Sequence, residues 1–389
     1  MPERGFPAAA DDRVALAAVS AAALPITGGE HDYDALVERI GDARIVLLGE
    51  ASHGTHEFYR ERARITERLI RERGFTGVAI EGDWPDAHRV NRYVQGGDDD
   101  RDAEEALQGF RRFPTWMWRN TATVDLVGRL RAHNDALPSG APRAGFYGLD
   151  LYSLRASMSA VVQYLERVDP DAAVRARSRY ACLEPYAGEQ TGDYAQAVLL
   201  GVSESCRRGV IQELVELRRQ AGARLVHDGV AAEDAEFQAE RNAVVVAEAE
   251  EYYRTMFGDR AGSWNLRDRH MADTLDHLAA HLERRGGTAR VVVWAHNSHV
   301  GDARTTDMAG RGELNLGQLA RERHGRDAVL VGFTTHSGTV TAATEPRVIF
   351  GARASSFTAF SPPLPYVSRF AGSFESGSPP CTMPRGTMR

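Results

Sequence analysis

The sequence predicts an α/β protein with a mainly parallel central sheet flanked by helices and an inserted all-helical subdomain. Short apolar runs of strand length alternate with longer stretches of helical periodicity, beginning with Arg44–Leu48, His56–Arg73 and Gly77–Ile80. Between residues 153 and 263 no convincing strand occurs, although strand-like runs resume afterwards. A helical excursion between strands of one sheet is typical of an inserted subdomain.

The first half of the chain fits this class element by element. A short helix over Asp32–Ile40 precedes the first strand. The next helix is amphipathic, and its inward face is predicted to consist of Phe58, Ile65, Leu69 and Ile70. Strand, helix and strand at this spacing predict a right-handed βαβ unit. Residues 85–138 are mostly helical, with the acidic run at 98–102 as a solvated loop.

The second half supplies the remaining strands and the helical insertion. Strands are predicted at Phe146–Leu149, Val291–Ala295 and Ala328–Phe333, and helices at Val161–Val168, Ser203–Leu225, Ala231–Phe257 and Trp264–Leu282. The predicted organisation is therefore an N-terminal helical lead-in (1–30), the first part of an α/β core (31–152), a helical subdomain (153–263), the second part of the core (264–345) and an irregular tail (346–389).

Composition excludes several classes of function. All 47 basic residues are arginine, which excludes Schiff-base and P-loop lysine chemistry. The formal net charge of −7 argues against a nucleic-acid binder, because phosphate binding needs clustered positive charge. A small polar or amphipathic substrate fits this charge better.

Cysteine content and hydropathy predict a cytoplasmic protein with no membrane partner. The three cysteines are too few for a disulfide framework, and we interpret them as buried small hydrophobes. No apolar run approaches the ~18 residues of a membrane helix. The alanine-rich Val14–Leu24 follows Asp11-Asp12, which favours a helix start over a secretory leader, although a weak signal peptide stays an alternative.

Polar side chains follow each of the first four predicted strands. These are Glu50 and His53, then Glu81 and Asp83, then Asp150, and finally His296, Asn297 and His299. Because the carboxyl ends of parallel strands meet at one edge of a sheet, where open α/β sheets bind their ligands, we expect one site there.

Five ordered motifs resemble the erythromycin esterase family, which includes proteins labelled succinoglycan biosynthesis proteins. They are Gly49-Glu50-x-x-His53-Gly54-Thr55, Ile80-Glu81, Trp116-Met117-Trp118-Arg119, Tyr147-Gly148-Leu149-Asp150 and Trp294-Ala295-His296-Asn297-x-His299. The resemblance covers about residues 30 to 344. It implies an α/β core with a helical subdomain and hydrolysis of a cyclic ester without metal or cofactor, a macrolide lactone being one possible substrate.

The resemblance also implies roles for individual residues. His53 is the base that activates water, and the other catalytic residues around it are Glu50, Glu81, Arg62, Arg267, His296 and His299. Either of the last two histidines protonates the leaving alkoxide. The residues expected to bind the small-molecule ester are Trp116, Trp118, Asp150, His56 and Asp83.

The residues themselves support this chemistry but leave alternatives open. A neutral imidazole beside a carboxylate accepts a proton near pH 7, and Glu50 or Glu81 supplies the carboxylate for His53. Alternatively, Glu50 and His53 merely cap the following helix. No G-x-S-x-G motif occurs, and Ser52 is the only serine inside the cluster, so direct attack by water is favoured.

Three further alternatives accompany this hypothesis. Both Glu50-x-x-His53 and His296-x-x-His299 resemble metal-ligand spacings, but they lie at strand ends rather than on helices. Arg62 and Arg267 either stabilise an oxyanion or form surface salt bridges with Glu57 or Asp268. The Trp116-Met117-Trp118 run is either a substrate wall or core. The rival functions are a metal-dependent hydrolase and a non-hydrolytic biosynthetic or binding protein.

The carboxyl end differs in composition from the rest. Residues 346–389 hold 7 of the 16 prolines and a single acid, Glu375. Such a segment is predicted to form neither sheet nor helix. The resemblance also ends near Thr344, so a frameshifted or truncated end and an ordinary flexible tail are both hypotheses.

Overall fold

The computed structural model describes residues 9–97, 99–186, 192–200, 205–286 and 288–342. These fall into two compact units, one holding residues 9–35 and 335–338 and the other residues 36–334 and 339–342. The first unit contains helix α1 (Ala9–Ala22), which begins before Asp11 rather than after Asp12 as predicted. The predicted irregular tail lies outside the described residues.

The second unit is built on a five-stranded sheet in which every pairing is parallel, which confirms the predicted α/β class. Its strands are β1 (Ile45–Leu48), β2 (Gly77–Asp83), β3 (Gly145–Asp150), β4 (Val291–Trp294) and β5 (Ala328–Val331). The first four strands are buried along their whole length. Apolar strands of this kind are typical of a parallel sheet covered by helices on both faces.

The strand order is β3-β2-β4-β1-β5. The two strands of the predicted βαβ unit are therefore not neighbours, because β4 lies between them and Val291 pairs with both Ile45 and Gly77. A strand from the far side of the helical insertion thus enters the centre of the sheet. This brings the end of β4 next to the ends of β1 and β2.

Helices account for most of the remaining described chain. They are α2 (Asp34–Ile40), α3 (His56–Arg73), α4 (Trp84–Val94), α5 (Ala103–Ala106), α6 (Thr121–Ala136), α7 (Leu154–Val168), α8 (Pro170–Tyr180), α9 (Gly192–Leu199), α10 (Arg207–Thr255), α11 (Arg260–Arg284), α12 (Asn297–Val300), α13 (Asp307–Gly310) and α14 (Leu316–His324). The two helices predicted over residues 203–225 and 231–257 form the single helix α10, since no proline interrupts the stretch between them.

Two groups of buried side chains in the described residues contribute to the core of this unit. One lies around the sheet and includes Leu47, Ala79, Trp84 and Val293. The other lies among α7 to α10 and includes Tyr194. The inward face predicted for α3 is buried as expected. The boundaries predicted for the helical subdomain stay a prediction.

Two of the three cysteines are paired. Cys182 and Cys206 form a disulfide with a Cα–Cα distance of 6.0 Å. Cys182 is exposed, so its interpretation as a buried small hydrophobe is wrong. Cys381 lies outside the described residues. None of the described helices has the length and apolar character of a membrane span.

Candidate active site

His53 lies in the turn that joins β1 to α3. Its Nδ1 is 2.8 Å from Glu50 Oε1, and its side chain is 32% exposed. Nε2 has no hydrogen-bond partner within the described part of the chain. Partial burial lowers the pKa of His53, but the hydrogen bond to Glu50 and the negative charge of Glu81 outweigh it and raise the pKa above its usual 6.5. With Nδ1–H donated to Glu50, the Nε2 lone pair is available to accept a proton.

The turn that carries His53 requires glycine at position 54. Gly54 has φ +83°, and a Cβ there would lie 2.5 Å from the carbonyl oxygen of Thr341 and 2.7 Å from Trp116. Both the left-handed backbone and the lack of space exclude a side chain. Trp116 and residue 341 thus pack directly onto the turn beside the candidate base.

We expect Gly54→Ala to destabilise the fold by more than the ~1 kcal/mol that a left-handed residue costs, because the methyl group also displaces Trp116. Gly74→Ala is the matched control, since Gly74 has φ +67° with nothing within 4 Å of the added Cβ. Urea unfolding of both variants measures the difference. Equal losses of unfolding free energy would show that the packing around Gly54 contributes nothing.

Arg62 fixes the carboxylate that holds His53. Its side chain is fully buried, and its Nη2 donates to Glu50 Oε2 at 2.9 Å. The guanidinium lies 4.6 Å from the ring centroids of both Tyr59 and Trp294. Arg62 is therefore in the interior. Neither a surface salt bridge with Glu57 nor direct contact with a substrate oxyanion fits this position.

Glu81 occupies the end of β2 and joins the other parts of the site. Its Oε2 accepts the backbone N–H of His296 at 2.8 Å, and its Oε1 accepts Nη2 of Arg267 at 2.7 Å. Burial raises the pKa of Glu81, but the positive charges of His299 and Arg267 hold it well below its usual range. Of the two candidate carboxylates, Glu50 is the one hydrogen-bonded to His53, and Glu81 acts on it only through its charge.

Arg267 projects from α11 towards the strand ends. Its Nε and Nη2 donate to the two oxygens of Asp150 at 2.9 and 2.7 Å, and its Nη1 lies 3.0 Å from Nε2 of His299. The bonds to Asp150 and Glu81 use the Nε hydrogen and both Nη2 hydrogens, which are three of the five N–H groups of a guanidinium. The hydrogens on Nη1 are left for another acceptor. The predicted alternative, a surface salt bridge with Asp268, is not formed.

His299 lies behind this arginine and is buried. Its Nδ1 is 2.8 Å from Asp268 Oδ1, its ring stacks on Trp264 with centroids 4.7 Å apart, and its Nε2 is 3.4 Å from Glu81. Burial lowers the pKa of His299, but Glu81 and Asp268 outweigh it and raise the pKa to about 9. His299 is thus held as a cation between two carboxylates and supports Glu81.

His296 lies next to His53, with ring centroids 5.1 Å apart. Its Nε2 is 3.0 Å from the carbonyl oxygen of Ala51, and its Nδ1 accepts the backbone N–H of Ser298. Burial and the neighbouring charge of His53 lower the pKa of His296. Its two ring nitrogens are therefore engaged with the backbone in the neutral form.

The residues predicted to bind substrate occupy different environments. Trp116 packs on the His53 turn, whereas Trp118 is buried between Tyr59 and Phe110. His56 is exposed at the start of α3. Two predicted contacts are buried carboxylates engaged by arginines: Asp150 holds Arg267, and Asp83 holds Arg112 through bonds of 2.9 and 3.1 Å. Burial does not suit direct contact of either carboxylate with a substrate.

A cavity of about 730 Å³ opens beside Arg267. Its wall contains Tyr152, Tyr252, Arg260, Ser263, Trp264, Arg267, Ser298, Met308, Arg311 and Glu313. A cavity of this size accommodates a drug-sized molecule. Sequence reasoning gave no role to Tyr152 and Trp264 and considered Asp268 only as a surface salt-bridge partner of Arg267. The spacing of Trp264 and Arg267 on one helix face was a usable signal.

The candidate metal-ligand pairs do not converge. Throughout the described ranges, no group of three or more His, Cys, Asp or Glu side chains has an arrangement that holds a metal ion. Glu50 and His53 bond to each other, and His299 bonds to Asp268 instead of converging with His296.

The fold and the site define an α/β protein with paired histidines and carboxylates at the carboxyl edge of a parallel sheet. The model of the erythromycin esterase family matches residues 70–361, well over half of the chain, and the chain belongs to this family. The predicted membership is confirmed. The match continues beyond residue 344, so the predicted end of the resemblance is wrong.

Individual proteins are similar to this chain in sequence or in fold. Erythromycin esterase type II of Escherichia coli is 26% identical over 340 residues, which cover 82% of this chain and 74% of that protein. A succinoglycan biosynthesis protein of known structure shares the fold with a TM-score of 0.63 at 22% identity, over 84% of this chain and 76% of that one. An erythromycin esterase variant in an open conformation has a TM-score of 0.61 at 18% identity, over 77% and 72% of the two chains.

Proposed function

We propose that this protein is a carboxylic ester hydrolase in which His53 activates water without a covalent nucleophile. The observation that carries the proposal is a partly exposed His53 whose Nδ1 is bonded to Glu50 and whose Nε2 has no hydrogen-bond partner among the described residues. Membership of the erythromycin esterase family supports hydrolysis of an ester. A macrolide lactone is one candidate substrate, because the Escherichia coli relative is named for erythromycin.

The proposed reaction begins when Nε2 of His53 takes a proton from water as the water oxygen attacks the ester carbonyl carbon. Glu50, held by Arg62, stabilises the imidazolium that forms. The carbonyl oxygen becomes an oxyanion, and Nη1 of Arg267 is its hydrogen-bond donor. Glu81 and Asp150 hold that guanidinium in place.

In the second step the carbon–oxygen bond to the leaving alcohol breaks and the carbonyl reforms. His53 returns its proton to the alkoxide, releasing an alcohol and a carboxylic acid. We assign this proton to His53, because the ring nitrogens of His296 are engaged with the backbone and those of His299 face the carboxylates of Asp268 and Glu81. A panel of simple esters and macrolide lactones, assayed with wild type and His53→Gln, tests the proposal.

We expect kcat/KM to rise with pH and reach a plateau, with its inflection above the usual imidazole pKa of about 6.5. The base must be neutral to accept a proton, and the pKa of His53 is raised, so activity is low below this pKa and full above it. Initial rates between pH 5 and 9 measure the inflection. A flat profile over this range would contradict a histidine base.

A further inference from the structure

One face of α11 forms a continuous wall of the cavity beside the site. Arg260, Ser263, Trp264 and Arg267 all line it, and their spacing of three, four and seven residues places them on one stripe of the helix. At about 1.5 Å per residue, Arg260 lies roughly 10 Å along the helix from Arg267. The wall therefore has an arginine at each end and a tryptophan between them.

The charges of the other arginines in the cavity are balanced. Arg267 is bonded to Asp150 and Glu81, and Arg311 Nε donates to Glu313 at 2.8 Å. For Arg260, by contrast, no carboxylate within the described ranges lies at ion-pair distance. Arg260 is thus the uncompensated charge of the cavity wall.

The positive charge of Arg260 does not stabilise helix α11. It is the first residue of α11, where a positive charge opposes the helix dipole and weakens the helix. Asp259 already caps this end by accepting the backbone N–H of Gly262 at 2.7 Å. A ligand with a negative charge gives Arg260 the partner that the protein does not provide.

We propose that the cavity selects esters that carry an anionic group about 10 Å from the scissile carbonyl. The carbonyl oxygen binds at Arg267, the anionic group binds at Arg260, and an apolar spacer lies over Trp264 and Tyr252. This inference rests on the proposed esterase function and names the substrate class of the same site.

The test uses mono-p-nitrophenyl esters of succinic, suberic and sebacic acids, each compared with its methyl-capped neutral analogue. We expect the free acid of the suberate ester, whose extended chain matches the distance most closely, to be preferred in kcat/KM by about tenfold, the effect of one charged hydrogen bond. Arg260→Gln should abolish this preference and leave the neutral ester unchanged. Arg326→Gln is the control, because Arg326 is exposed on a turn outside the cavity.

Salt and binding measurements separate the two proposals. The preference of wild type for the anionic ester over its neutral analogue should weaken at high salt, since Arg260 is exposed and salt screens its charge. The monoamide of suberic acid, which is not an ester, is titrated by tryptophan fluorescence with wild type and Arg260→Gln. The anion site would be overturned if wild type and Arg260→Gln bound the monoamide with equal affinity, or if both proteins preferred the anionic ester equally. Failure of wild type to hydrolyse any ester, with weaker monoamide binding by Arg260→Gln, would overturn the esterase and retain the anion site.

Discussion

Replacement of His53 by glutamine should lower ester hydrolysis by about 10²- to 10⁴-fold, the usual contribution of a general base. The fold should survive, because the side chain is 32% exposed at a turn and its hydrogen bond to Glu50 is its principal polar contact. Steady-state kinetics give the loss, and thermal unfolding followed by circular dichroism reports the fold.

Two controls sharpen this prediction. His277→Gln changes an exposed histidine of α11 far along the chain and should leave turnover unchanged. His53→Ala leaves space beside Glu50, so added imidazole should restore part of the activity. A folded His53→Gln protein with wild-type turnover would refute the mechanism.

Replacement of Arg267 by glutamine should impair both stability and catalysis. The side chain is 12% exposed and pairs with two buried carboxylates, Glu81 and Asp150. Removing one partner from a buried ionic network costs about 3–5 kcal/mol of unfolding free energy. Loss of the proposed oxyanion donor should lower kcat/KM by about 10²- to 10³-fold. Denaturant unfolding and steady-state kinetics measure the two effects.

The double variant Arg267→Gln, Asp150→Asn separates these effects. Neutralising Asp150 removes one unpaired charge, so part of the lost stability should return, while activity should stay low. Arg112→Gln is a matched comparison, because Arg112 also pairs with a buried acid, Asp83, and contacts the ring of Tyr152. It should lose less stability, since its side chain is 45% exposed. An Arg267→Gln enzyme with full kcat/KM would exclude the oxyanion role.

These predictions follow from two ionic networks, one that positions His53 and one that positions Arg267. Arg62 and Glu50 hold His53 from the β1 side, and Arg267 is held by Asp150 and Glu81 from the β2 and β3 side. The carboxylates of both networks, Glu50, Glu81 and Asp150, are buried and come from strand ends. The charge of Glu81 couples them, because it raises the pKa of His53 while pairing with Arg267.

Local sequence patterns were sufficient to place the strands, helix α3 and the polar residues at the strand ends. Apolar runs of strand length and the helical period of residues 56–73 depend on interactions between near neighbours in the chain, which a sequence displays directly. The same patterns placed His53 and Glu50 in one turn, three residues apart, where they do bond. The candidate base was therefore predictable.

Only the tertiary structure decided which partners meet across the sheet. The insertion of β4 between β1 and β2 placed His296 beside His53 and brought Glu81 to the backbone of His296 rather than to the His53 ring. The burial of Arg62 and the pairing of Arg267 with Asp150 likewise join residues far apart in the chain or depend on packing. Strand order and side-chain burial arise from the packing of the whole core, so no local spacing specifies them.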